Sequence, residues 1–283
     1  MIAAGTTHRL TVRLQDKLGY LLGNDDGDGD VAHLPFRAAP HRLVPGQEIE
    51  VFVYIDSDAK VVATTATPTA SVGDYTVLEV VDIGEHGAFL DWGLEKDLFV
   101  PNRLQQVPMA IGRSYVVHVF RDDRTGRATA ASQLREYLDY DPSGINVGDE
   151  VEALVYGRND VGWLAVVDRR YAGIIYANEI FRDITISSTH KAWVREIRSS
   201  NKIDLSLQRL GHRAIGDDLQ RLRQALIAAG GSLALHDRSP PEAIAAALGI
   251  SKKAFKRARG GLLKAGEIEP LRDETRLKGT PPQ

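Results

Sequence analysis

The 283-residue sequence offers two sets of residues suited to nucleic-acid chemistry. The first is a run of cations. Between Ser251 and Gly266 stand Lys252, Lys253, Lys256, Arg257, Arg259 and Lys264, without one acid. A helix so charged can track a phosphate backbone and release its counterions, although a solvated helix face would carry a similar pattern. The second set is aromatic: Tyr20, the pair His86 and Phe89, and the pair Trp163 and Tyr176. Aromatic faces hold unpaired bases by stacking, at about 1–3 kcal/mol per base, and each of these rings could equally serve a core. Single cations, Lys60, Arg127 and Lys202, stand at matching places nearby. Asp56 and Asp123 precede the first two by four residues, and Arg198 fills that place before the third. A turn held by a surface ion pair is the plainer reading of those spacings, and such a pair is worth little.

Catalytic sets are not apparent. The sequence has no Gly-x-x-x-x-Gly-Lys phosphate loop, no Gly-x-Ser-x-Gly elbow and no His-Glu-x-x-His zinc pair. Its eight His residues are scattered without metal-ligand spacing. With no Cys, a disulfide scaffold, a Cys-ligated zinc and a thiol nucleophile are all excluded. The stretch Asn24–Asp30 resembles part of a calcium loop, but Gly is missing at the sixth position from Asp26 and Arg37 stands where a bidentate Glu belongs. It is expected to be an acidic loop tip that repels phosphate and leaves the first domain a poor RNA binder. The expectation is therefore binding without catalysis, with no metal and no cofactor.

The elements that must position these residues repeat. Val72-Gly73-Asp74 and Val147-Gly148-Asp149 each open a stretch of period-2 apolar alternation. A Gly-centred strand follows each, at Gly87–Leu90 and Gly162–Ala165. A third strand comes next, at Leu98–Val100 and Gly173–Tyr176. Two more close each unit, the last at Arg127–Ala130 and Lys202–Leu207. Residues before 70 repeat the layout. Three units of five short strands suggest closed five-stranded barrels of the OB-fold type; a single large β-sandwich is the alternative. Beyond residue 211 the period becomes helical. The spacing predicts helices over 216–229 and 243–248, the second capped by Ser239 with Pro in its first turn. A third starts at Ser251, with Phe255, Ala258, Leu262 and Leu263 on one face. Ile268–Leu271 and Thr275–Leu277 then read as a β-ribbon. Together these describe a winged helix-turn-helix.

The chain is thus expected to be mainly β with an α+β C-terminal domain. The expected domains are barrels at 1–67, 68–140 and 141–211 and a winged helix at 212–283. The net charge of −3 averages two unlike parts. From Gly211 onward 13 Lys and Arg face 8 Asp and Glu, net +5, whereas the preceding residues carry net −8. No window approaches 18 apolar residues, and Met1–Gly5 does not open a signal peptide. The expected location is therefore the cytoplasm, with no membrane partner.

The second and third units resemble S1-type RNA-binding domains, through Val72-Gly73-Asp74, His86-Gly87-Ala88-Phe89-Leu90, Leu98-Phe99-Val100-Pro101 and Lys202–Leu207. With the tail Leu235–Ile244 and Gly249–Lys256, the chain resembles the conserved virulence factor B family of bacteria, which joins three S1-type domains to a winged helix. The resemblance implies RNA binding and post-transcriptional control without catalysis. It places RNA-facing positions just before the strand-two Gly and two residues after it. These are His86 and Phe89, but Leu18 and Leu21 in the first unit and Val161 and Leu164 in the third. A third such position falls on Leu34, Val100 and Tyr176. The expected RNA-binding set is His86, Phe89, Arg127, Trp163, Tyr176, Lys202, Lys252, Lys253, Lys256 and Arg257. The expected partner is single-stranded RNA, with duplex nucleic acid a second option for the winged helix and a ribonuclease or ribosome-associated factors as protein partners. The alternative function is a duplex-DNA regulator led by the winged helix, its barrels serving as protein-interaction modules.

Overall fold

The computed structural model describes residues 2–24, 29–177, 183–208, 212–269 and 271–279, with the backbone alone over 212–217. Most of the acidic tip, Asp25–Asp28, lies outside them, as do Arg209–Gly211 and Pro270. The chain divides into two compact units, Met1–Leu138 and Asp139–Gln283.

The first unit holds two barrels. Strands β1 (Thr6–Gln15), β2 (Gly19–Gly23), β3 (Val31–Pro35), β4 (Glu48–Ile55) and β5 (Val61–Thr64) close in the order β1-β2-β3-β5-β4. The same circuit recurs in β6 (Tyr75–Gly84), β7 (Gly87–Asp91), β8 (Leu98–Pro101), β9 (Ser114–Arg121) and β10 (Ala128–Ala131). In the second unit it recurs in β11 (Glu150–Arg158), β12 (Gly162–Val167), β13 (Tyr171–Tyr176), β14 (Thr189–Ile197) and β15 (Ile203–Ser206). Closure leaves no free edge, and three closed barrels replace the single-sandwich alternative. Each first strand carries a register shift at the same place, between Val12 and Leu14, Val80 and Asp82, and Val155 and Gly157. Such bulges bend a strand and help a short sheet close.

The glycine that opens each second strand has a steric cause. A Cβ on Gly87 would lie 2.2 Å from the Val100 carbonyl oxygen, on Gly19 2.1 Å from that of Leu34, and on Gly162 2.2 Å from that of Ile175. Backbone cannot yield as a side-chain tip can, so any other residue forces the two strands apart. Gly87→Ala is expected to destabilise the second barrel by about 1–3 kcal/mol, the usual cost of overpacking. Thermal unfolding of the full chain checks this.

The two barrels of the first unit share apolar surface. Phe52, Tyr54 and Val62 of the first join the core of the second, and the Phe52 ring meets Trp92 edge-on at 5.6 Å. In the first barrel Tyr20 is a core residue, not an RNA-facing one. It is 3% exposed, its ring meets Phe36 edge-on, and its hydroxyl accepts the Leu43 N–H at 3.1 Å.

The winged helix consists of α1 (His212–Ala228), β16 (Ser232–Leu233), α2 (Pro241–Leu248), α3 (Lys252–Lys264) and β17 (Thr275–Arg276). Helix α1 begins four residues before the expected start. Ser251 caps α3 as expected, its hydroxyl accepting the Ala254 N–H at 3.1 Å. Ser239 does not cap α2: its hydroxyl accepts the His236 N–H at 2.9 Å, closing the preceding turn, and Pro240 occupies the cap. Proline at N1 needs no donor partner, so the helix starts without a side-chain cap. Phe255, Ala258 and Leu262 are fully buried beside Leu222, Leu226 and Ile244, while Leu263 is 40% exposed and faces away from that core. The ribbon differs from expectation too. Thr275 and Arg276 pair with Leu233 and Ser232 between α1 and α2, and among the described residues the single bridge Ile268–Leu277 joins the expected partner segment.

Candidate nucleic-acid interface

Strand register decides which side chains share the outer face of a barrel, because pairs directly opposite point the same way. In the second barrel Phe89 pairs with Phe99, and their rings meet at 5.2 Å. The sequence reading missed Phe99. Period-2 alternation through Leu98-Phe99-Val100 is the signal that finds it, since Leu98 and Val100 are buried and Phe99 must point outward. The equivalent pairs are Leu21 with His33 and Leu164 with Ile174. The assignment of Leu34, Val100 and Tyr176 to one shared position needs correction. Gly19, Gly87 and Gly162 pair with Pro35, Pro101 and Tyr176. Tyr176 therefore matches Pro35 and Pro101, and the fully buried Leu34 and Val100 match Ile175.

Around the Phe89–Phe99 pair lies an open groove of about 840 Å³. It brings together His86, Phe89 and Arg127, three residues of the expected set, with Lys96, Phe99, Arg103 and Arg124. One wall comes from the first barrel, at Tyr54, Ile55, Asp56 and Ser57. The Arg127 guanidinium donates to the Ser57 carbonyl at 2.9 Å, which steadies it at the rim. The groove is not uniformly basic. Asp56, Glu85, Asp97 and Asp122 also line it, and burial, then Asp91 and Asp82, hold the Asp97 carboxyl above its ordinary pKa. Asp56 and Asp122 each commit one carboxylate oxygen, Oδ1, to turn donors. Asp56 accepts from residues 58 and 60, and Asp122 from Arg124, Thr125 and the Thr125 hydroxyl. The expected partner Asp123 is thus one residue off. The backbone closes from Asp122 to Arg127, a turn one residue longer than Asp56 to Lys60 or Arg198 to Lys202.

The third barrel is built differently. Trp163 pairs with the buried Ile175, in the core-facing register of Tyr20 and Ala88. It packs against the barrel core with the Arg158 guanidinium 5.2 Å over its ring, so its position is not on the outer face. Tyr176 does face outward, but its hydroxyl reaches Asp204 at 3.3 Å and the Arg198 guanidinium lies 5.3 Å over its ring. Arg198 also forks onto Asp204 at 2.9 and 3.0 Å. Asp204 stands where the second barrel has Thr129, so a carboxylate floors this face. Lys202 is exposed beside it.

On α3, Lys253, Lys256 and Arg257 are exposed and Lys252 is half-buried. Arg257 lies 3.7 Å from Asp218. Arg259 leaves the expected cationic stripe altogether. It is buried, with Nη1 to Asp237 at 2.9 Å, Nη2 to the Leu271 carbonyl at 2.6 Å and Nε to the Thr275 hydroxyl at 3.2 Å. Among the described residues no cluster of three or more His, Asp or Glu could hold a metal, and no helix is long and apolar enough to cross a membrane.

The S1 domain model matches residues 4–66 and 72–130, and the CvfB-like winged helix domain model matches 220–277. Conserved virulence factor B of Staphylococcus aureus is 27% identical over 254 residues, covering 87% of this chain and 84% of that protein. This chain belongs to the conserved virulence factor B family. The uncharacterized protein YitL of Bacillus subtilis is similar as well, 27% identical over 266 residues, 92% of this chain and 88% of that one. A solved multidomain protein with nucleic acid binding domains from Streptococcus pneumoniae aligns at 23% identity over 97% of this chain and 98% of that chain, with a TM-score of 0.43. S1 barrels and winged helices are nucleic-acid-binding domains, and in this virulence factor B relative the S1 matches fall on the first and second barrels. The sequence patterns had singled out the second and third.

Proposed function

We propose that this chain is a non-catalytic, single-stranded RNA-binding protein of the bacterial cytoplasm that acts in post-transcriptional control of gene expression. The observation that carries this reading is the Phe89–Phe99 pair in one groove with His86 and Arg127. Stacked rings take bases of any sequence, and the flanking cations take the backbone. Tyr176 and Lys202 offer a weaker face in the third barrel, where Asp204 opposes phosphate, and Trp163 braces that barrel. Lys252, Lys253, Lys256 and Arg257 add phosphate contacts from the winged helix.

The test is fluorescence anisotropy of the full chain with single-stranded RNA, single-stranded DNA of the same sequence, and duplex DNA, across about 50–200 mM salt. Single-stranded RNA is expected to bind tightest. Replacing Lys252, Lys253 and Lys256 together by Gln is expected to flatten the salt slope by about 2, at roughly 0.7 for each phosphate no longer neutralised. No binding of single-stranded RNA at low salt sinks the reading. The exposed basic face of α3 favours the duplex-DNA alternative, and a clear preference for duplex would select it.

A further inference from the structure

The outer row that begins at Phe89 and Phe99 does not end at the groove. Phe99 pairs in parallel with Thr129, and Thr129 pairs antiparallel with Phe120. Phe89, Phe99, Thr129 and Phe120 are therefore neighbours across β7, β8, β10 and β9 on one outer face, a span of roughly 14 Å at ordinary strand spacing. Phe120 in turn stacks on Tyr137 at 5.1 Å with an interplanar angle of 30°. These two rings line a second hollow of about 450 Å³ with Arg103, Arg121 and Arg124. Arg103, Asp122 and Arg124 line both hollows, so the two are continuous. All three arginines are exposed, and among the described residues none is held in an ion pair. Behind the rings, His118 lies 4.9 Å from Tyr137, and burial keeps its imidazole below the ordinary pKa. The three arginines face Asp122 and Asp123 across this hollow and leave its lining net positive.

The other barrels lack this extension. At the position of Phe120 the first barrel has Tyr54, which is buried within the shared core of its unit, and the third has Glu196. Among the described residues, only the second barrel carries two half-buried outer aromatic pairs joined by exposed guanidinium groups.

We propose that Phe120 and Tyr137, with Arg103, Arg121 and Arg124, form a second nucleotide-binding subsite, so that a single strand runs from the Phe89–Phe99 platform across the β9–β10 side of the barrel. The inference rests on the reading that the first platform binds single-stranded RNA. Aromatic stacking with flanking arginines suits a nucleotide better than a protein segment, and the continuity with the first groove fixes the occupant as the same strand. The second platform sits at the end of the first unit, one residue before Leu138, where the chain passes on to Asp139.

Length-dependent binding tests it, with oligouridylates of about four and about ten nucleotides, spanning the lower range of OB-fold site sizes. The variants are Arg121→Glu, an exposed charge reversal that leaves the core untouched, and Phe120→Leu. Both are expected to weaken the long oligonucleotide roughly tenfold while leaving the short one within twofold of wild type. Phe89→Ala is expected to weaken both. Photocrosslinking of a 5-bromouracil-substituted ten-mer is expected to label Tyr137 or Phe120, read by mass spectrometry. If Arg121→Glu binds the long oligonucleotide as wild type does and the crosslinks stay on the first platform, the second subsite is refuted and the first stands. If the wild-type chain binds neither length, both readings fall together.

Discussion

Replacing Phe89 and Phe99 together by Ala is expected to lower the affinity of the full chain for single-stranded RNA by about one to two powers of ten, one base being lost from the platform. The size follows from stacking at about 1–3 kcal/mol per base and from tenfold per 1.4 kcal/mol. The two rings lie on adjacent strands, 5.2 Å apart, and neither belongs to the buried core of its barrel. The double variant should therefore fold, with its circular dichroism and melting close to wild type. Its salt slope should be unchanged, because stacking releases no counterions. That separates it from the lysine triple on α3, which changes the slope. Leu21→Ala in the first barrel occupies the register of Phe89 without a ring and should cost less than twofold. A double variant that binds within twofold of wild type would exclude this groove as the RNA site.

If the groove binds RNA as proposed, its charge requires stacking to carry most of the affinity there. Lys96, Arg103, Arg124 and Arg127 face Asp56, Glu85, Asp97 and Asp122 across one hollow, so the electrostatic gain for a phosphate backbone is small. The winged helix differs: Lys252, Lys253 and Lys256 have no acid within their helix. On the proposed reading the chain divides two tasks, base stacking in the first unit and phosphate attraction at the C-terminus.

How far the sequence foretold this depends on the kind of interaction. The barrels were legible because period-2 alternation and the strand-two glycines report local geometry, and the glycines answer to a close backbone approach common to all three. The Phe89 position was legible for the same reason. Phe99 could have been found by the same alternation, but that Phe99 faces Phe89 and that Phe120 meets Tyr137 could not, because those contacts depend on register and on packing outside the strands. Trp163 and Phe89 both follow a strand-opening glycine, at one residue and at two, and that single step places one ring toward the core and the other toward solvent. Asp204 gave no local signal at all. It reads as one acid in an alternating strand, yet it sits 4% exposed under Tyr176, tied to Arg198.

The basic helix makes the sharpest case for reading each charge by its partners, and it yields the largest expected loss of stability. Arg259→Ala is expected to destabilise the winged helix by about 2–4 kcal/mol, since it strips a buried guanidinium from three partners at once. The Thr275 hydroxyl is fully buried and already donates to the Leu235 carbonyl, so the loss leaves its acceptor side facing an empty space. The Leu271 carbonyl loses its donor as well. Asp237 is half exposed and can return to water, which keeps the total below that of a fully buried ion pair. Arg259→Lys should rescue little, because a point charge cannot reach three acceptors in a fork. Lys253→Ala and Lys256→Ala, one turn away on the exposed face, should change stability by less than about 0.5 kcal/mol. Hydrogen exchange of the full chain reads the difference directly: Arg259→Ala should speed exchange in α3 and at Thr275 while the barrels keep their protection. If α3 exchanges at the wild-type rate in Arg259→Ala, the guanidinium is not a structural anchor, and all six cations of the segment return to the nucleic-acid face.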